Sequence, residues 1–153
     1  MNFFSTNFIN PETTFVGFDS FEGLPDTNNH RFYYKKMFDI GEKFPFIDDS
    51  RVSFVKGFFS ERKEEIRHHL YSEVNNFLIH FDADLFSSTL LTLFLCSNIK
   101  EYYCLFDEFG DDEARALYYY LDVNNSSFEV YATTYDYNFN LSPKQVFGKI
   151  INK

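Results

Sequence analysis

The chain has 153 residues, enough for one domain around one core, and its 44% hydrophobic share supports a packed globule. With 22 Phe, 11 Tyr and no Trp, rings must fill much of that core, so Phe here stands in for Leu or Ile rather than marking an aromatic binding surface. A formal net charge of -9 without any basic stripe repels phosphate backbones and anionic bilayers, which excludes nucleic acid and membrane as partners.

Residues 1–12 form a polar opening in which Asn10-Pro11 marks a turn. The run 13–18 reads as a first strand, closed by Asp19. Residues 20–50 carry Gly23, Pro25, Gly41 and Pro45 among scattered aromatics and read as one long connection with at most a helical turn. Structureless loops of this length in compact domains are usually lids or binding loops. A second strand, 52–56, ends at Gly57. Ser60 then caps a helix to about residue 74, with Ile66, Leu70 and Val74 in register and Glu61, Glu64 and Glu65 favouring its amino end. His68 and His69 ride on that helix about 100° apart and read as a solvated face.

The third strand, 77–81, delivers Asp82-Ala83-Asp84, and Asp84, Ser87 or Ser88 caps a helix over 85–96 that is apolar on every side and therefore buried. Its run Leu90 to Cys96 is too short to span a bilayer, and no secretory signal opens the chain. Cys96 and Cys104 lie in apolar segments without metal-ligand spacing and read as buried thiols of a reduced cytoplasmic protein. The fourth strand, 102–106, ends in Asp107-Glu108, and Asp111-Asp112 open a helix through Ala114, Leu117 and Leu121. Strands at about 128–134 and 145–151, either side of the turn-rich stretch 136–143, read as a closing antiparallel hairpin.

Short aromatic and β-branched runs closed by a polar residue are the pattern of buried parallel strands, whose carboxyl ends hold ligands in open α/β sheets. One sheet edge thus collects Asp19, Gly57, Asp82, Asp84, Asp107 and Glu108. Three carboxylates from neighbouring strand ends repel one another unless a hard divalent cation such as Mg²⁺ sits among them, which makes Asp82, Asp107 and Glu108 candidate ligands. Asp19 suits ribose hydroxyls. His80 reads as a core histidine with a backbone partner, and His30 as a freer base candidate in the long loop.

Four blocks, Phe18-Asp19-Ser20-Phe21-Glu22-Gly23-Leu24-Pro25, Val55-Lys56-Gly57-Phe58-Phe59-Ser60, Ile79-His80-Phe81-Asp82-Ala83-Asp84-Leu85-Phe86-Ser87-Ser88-Thr89 and Phe106-Asp107-Glu108-Phe109, resemble successive segments of the macrocin O-methyltransferase family of class I S-adenosylmethionine-dependent methyltransferases. The resemblance implies a Rossmann-like, doubly wound, mostly parallel sheet with S-adenosylmethionine at the switch point and Mg²⁺ orienting a small-molecule or sugar hydroxyl. By carry-over, Asp19 and Ser20 would hold the cofactor ribose and Gly57 and Phe58 would border its adenine. Asp82, with a catalytic role, would join Asp107 and Glu108 on the metal, although the family often has Asp-Asp at the last two positions.

The front of the chain departs from that pattern, because residues 1–12 contain no glycine to form the cofactor loop. The resemblance therefore implies the later part of a methyltransferase that lacks the family's first, central strand and binds S-adenosylmethionine weakly. A central gap would leave backbone groups unpaired at roughly 1–3 kcal/mol each. It would be closed by the 13–18 strand meeting 77–81, by residues 2–9, or by a second chain, so self-association is expected. Two other classes stay open: a metal-dependent nucleotide-sugar glycosyltransferase using Asp82-Ala83-Asp84, and a non-catalytic methyltransferase-like binding module.

Overall fold

The computed structural model describes residues 10–27, 30–41, 43–72, 76–110, 112–135 and 143–153. The chain divides into two compact units, Met1–Arg62 and Lys63–Lys153.

In the first unit, β1 (Phe15–Asp19) and β2 (Val52–Lys56) pair in parallel, with Phe15 opposite Val52 and Asp19 opposite Lys56. Gly57 extends the ladder by donating its N–H to the Asp19 carbonyl at 2.9 Å. The connection between them, residues 20–51, contains no helix or strand among the described residues, as its Gly and Pro content requires. It is nevertheless ordered by its own bonds: Leu24 donates to the Met37 carbonyl and accepts from the Lys36 N–H, each at 2.9 Å. Buried Phe21 packs against Phe44 and Phe54, with ring centroids 4.8 and 5.9 Å away.

The second unit begins with α1 (Lys63–Leu70), which sets Ile66 inside and leaves His68 and His69 exposed. Its start lies three residues beyond Ser60, because residues 58–62 close a turn in which Glu61 and Arg62 donate to the Phe58 carbonyl. Val74 lies outside the described residues. Then follow β3 (Leu78–Phe81), α2 (Phe86–Leu95), β4 (Glu101–Phe106), α3 (Asp112–Val123), β5 (Ser127–Tyr135) and β6 (Pro143–Ile151). The four strands lie in the order β3-β4-β6-β5, with β3 and β4 parallel and β6 antiparallel to both neighbours.

Two features differ from the sequence reading. The closing strands are an antiparallel pair as expected, but β6 lies between β4 and β5, so only two of the four described pairings are parallel, not most of them. Among the described residues the six strands also form a sheet of two and a sheet of four, and β1 pairs with β2 rather than with β3. Residues 2–9 and 136–142, on which two expectations fell, lie outside the described residues.

The core of the second unit follows from alternation in β4. Tyr102, Cys104 and Phe106 are buried with Leu93 and Cys96 of the α2 end, Ala116, Leu117 and Tyr120 of α3, and Ile150 of β6. Phe81 stacks on Phe106 with centroids 4.7 Å apart, so the aromatics do fill the core in place of aliphatic residues. No described helix is long and apolar enough to cross a membrane.

Candidate functional site

At the carboxyl end of the β1–β2 pair, Asp19 is exposed and its Oδ1 accepts the Phe21 N–H at 2.6 Å. Ser20 Oγ donates to the Gly23 carbonyl at 2.9 Å and accepts the Glu22 N–H at 3.2 Å. These side-chain turns hold the strand end open and fix the direction of the Asp19 carboxylate. Facing it, Gly57 adopts φ 140°, and a Cβ there would meet Arg62 Nε at 2.5 Å. That guanidinium donates through Nε to the Lys56 carbonyl at 2.7 Å. The need for glycine is thus explained by backbone conformation and by Arg62 lying over the turn. Phe58, partly buried, supplies the carbonyl of the following turn. The structure therefore brings Asp19, Ser20, Gly57 and Phe58 to one strand edge, and a fixed exposed carboxylate there fits a hydroxyl-bearing ligand.

The ends of β3 and β4 carry the other acids. Asp82 and Glu108 are exposed and Asp84 is half-buried. Asp84 sits at φ 56°, a left-handed conformation that Asp tolerates better than most residues. None of Asp84, Ser87 and Ser88 stands at the cap position: the residue before α2 is Leu85, which makes no side-chain cap bond. Instead Asp112 Oδ2, from the start of α3, accepts the Phe86 N–H at 3.0 Å.

Asp107 turns to the opposite face of the strands from the core. Its Oδ1 accepts Gln145 Nε2 at 2.6 Å and lies 3.5 Å from His80 Nε2. His80 is thus not a core histidine; its side chain is 38% exposed, because β3 alternation puts Phe81 inside and His80 out. His30 is likewise committed, its Nδ1 accepting the Phe32 and Tyr33 N–H groups at 3.2 Å each.

These directions bear on Mg²⁺. Among the described residues no group of three or more His, Cys, Asp or Glu side chains could hold a metal ion. The acids Asp82, Asp107 and Glu108 are neighbours in the topology, but Asp107 is turned to Gln145 and His80, and that hydrogen bonding relieves its charge in place of a cation. The donor set does not fit the expected shared divalent site.

The most perturbed acid at this end is Glu113, 1% exposed in the first turn of α3. Its Oε1 accepts the Ala83 N–H and its Oε2 the Glu108 N–H, each at 3.1 Å. Burial pushes its pKa up to about 7, helped by the charges of Asp82 and Asp84 and opposed by the two N–H groups. Sequence reading passed over Glu113 and Gln145. A signal existed for the first: positions 113, 116, 117 and 120 form one helical stripe whose other members are the buried Ala116, Leu117 and Tyr120.

No protein-family model matches the chain, and neither does any curated protein sequence. Among solved structures, the fold is similar to that of the O-methyltransferase NovP, with a TM-score of 0.59 and 17% sequence identity over 90% of this chain and 60% of that one. The chain therefore spans about 60% of the length of the structure it matches. The likeness is one of methyltransferase-like fold.

Proposed function

We propose that this chain has a methyltransferase-like function, using S-adenosylmethionine in O-methylation of a small-molecule or sugar hydroxyl. The observation that carries the reading is the fold likeness to an O-methyltransferase. The exposed Asp19 carboxylate at the carboxyl edge of a parallel strand pair supports it. In that reading Asp19, its direction fixed by the Phe21 N–H, accepts hydrogen bonds from ribose hydroxyls, and Ser20 keeps the turn that presents it. Gly57 and Phe58 form the neighbouring edge of the adenine site. When bound, S-adenosylmethionine supplies an electrophilic methyl group. In the second unit, taken by itself, Asp82 at the end of β3 is an exposed carboxylate that can accept a hydrogen bond from a substrate hydroxyl. Because the donor set does not fit a shared Mg²⁺, no step is assigned to a metal. The glycosyltransferase reading of Asp82-Ala83-Asp84 has no comparable observation behind it.

Saturation-transfer NMR with millimolar S-adenosylmethionine should show transfer to its ribose and adenine protons, and Asp19→Ala should abolish the ribose signal. Absence of transfer to either ring system in the wild-type chain would refute the proposal.

A further inference from the structure

The first turn of α3 collects main-chain donors from two separate loops. Glu113 takes one N–H from Ala83, after β3, and one from Glu108, after β4. Its neighbour Asp112, also buried, takes the Phe86 N–H and holds Arg115 at 2.7 Å through its other oxygen. A carboxylate is costly to bury, and apolar side chains of similar volume often give equal or better stability. What an apolar residue cannot do is accept two N–H groups that point from different loops.

The geometry is also selective among polar residues. Gln has one acceptor and one donor, so one of its arms would oppose a donor with a donor. Asp is shorter by a methylene and would not span both loops. The two bonded positions belong to acidic loops: Asp82, exposed, and Asp84, half-buried, flank Ala83, and Glu108, exposed, carries the second N–H itself. Asp84 holds its left-handed conformation immediately after the tethered Ala83. Such conformations persist where the surroundings over-determine them.

We propose that Glu113 is a positioning residue: by bonding Ala83 and Glu108 at once, it sets the spacing of the two loops and so holds the carboxylates of Asp82, Asp84 and Glu108 in one arrangement toward a hydroxyl-bearing substrate. The substrate part rests on the methyltransferase-like reading above; the clamp stands on its own geometry.

The test uses the full chain labelled with ¹⁵N and ¹³C. In the wild type, scalar couplings across the hydrogen bonds should connect the Ala83 and Glu108 amides to Glu113 Cδ, and absence of either coupling overturns the clamp even if no variant folds. In Glu113→Gln, at least one of those two amides should exchange about tenfold faster or more, as the loss of one buried hydrogen bond implies, while Phe106 and Leu117 keep wild-type rates. Unchanged exchange at both loops, or equal acceleration through β4 and α3, would overturn it, the latter because Glu113 would then serve only the core. If S-adenosylmethionine fails to bind the wild type while both couplings are seen, the methyltransferase-like reading falls and the clamp stands.

Discussion

Replacing Asn152 by Leu should unfold the second unit at much lower denaturant, and the size of the loss can be worked out bond by bond. Asn152, 9% exposed just beyond β6, accepts the Tyr120 hydroxyl at 2.7 Å and the Ser126 hydroxyl at 2.8 Å. Its amide donates to the Ile99 carbonyl at 2.7 Å and the Cys96 carbonyl at 3.3 Å. One side chain thereby ties α3, the turn after it, and both ends of the α2–β4 connection. In the Leu variant, the Cys96 carbonyl still accepts the Ile99 N–H at 3.0 Å and the Ser126 hydroxyl still reaches the Asn124 carbonyl at 3.4 Å. The Ile99 carbonyl and the Tyr120 hydroxyl proton lose the partners shown here. At roughly 1–3 kcal/mol for each buried unsatisfied group, the expected loss is about 2–6 kcal/mol, and the apolar gain of Leu places it near 3. With a urea slope of about 2 kcal/mol per molar, the unfolding midpoint should fall by roughly 1.5 M. Tyr120→Phe in the Leu background should cost less than it does in the wild type, because the stranded hydroxyl is already a liability there. A single-variant loss under about 1 kcal/mol, or a cycle additive within about 0.5 kcal/mol, would show that the network does not carry this energy.

Glu113 links stability to pH: its folded value, about 7, is raised above its ordinary 4.5, so its contribution is full below pH 4.5 and is lost as pH rises through 7. The loss is about 3 kcal/mol, and Glu113→Gln should flatten this decline; parallel stability curves for the two proteins between pH 5 and 8 would contradict the assignment. Gly148→Ala should cost about 3 kcal/mol, since a Cβ there would run into the Glu129 carbonyl and the Phe128 ring. Gly110→Ala, whose nearest contact is 3.9 Å away, should cost far less, and equal falls in melting temperature would refute the contrast. Cys96 and Cys104 are fully buried, and burial pushes both thiols up to about 12, so neither should react with a thiol reagent at pH 8 until the chain is unfolded. Rapid labelling of either in the native protein would count against the buried core.

Local periodicity was enough to place most of the elements. The short aromatic and apolar run 102–106 closed by acids is why β4 could be read from its residues, and the strand-closing acids Asp19, Asp82 and Asp107 stand where that reading put them. The apolar run 85–96 similarly announced a helix, although it is buried on one side, at Thr89, Leu93 and Leu95, and not all round, since Ser87 and Phe94 are exposed. What such patterns do not contain is the identity of a partner distant in the chain. Ser87 and Ser88 were plausible caps for α2, yet its first N–H is met by Asp112, 26 residues onward. The acids after β3 and β4 were close by topology, but a carboxylate's direction is set by its neighbours on the same face, and Asp107 met His80 and Gln145 instead of a common cation. Glu113 became a buried tether only because two loops present N–H groups to one turn of α3, and β6 lies between β4 and β5 because strand order depends on which edges are left to pair. Residue spacing along the chain governs which faces are apolar; long-range packing decides which polar group meets which, and hence where the chemistry can be.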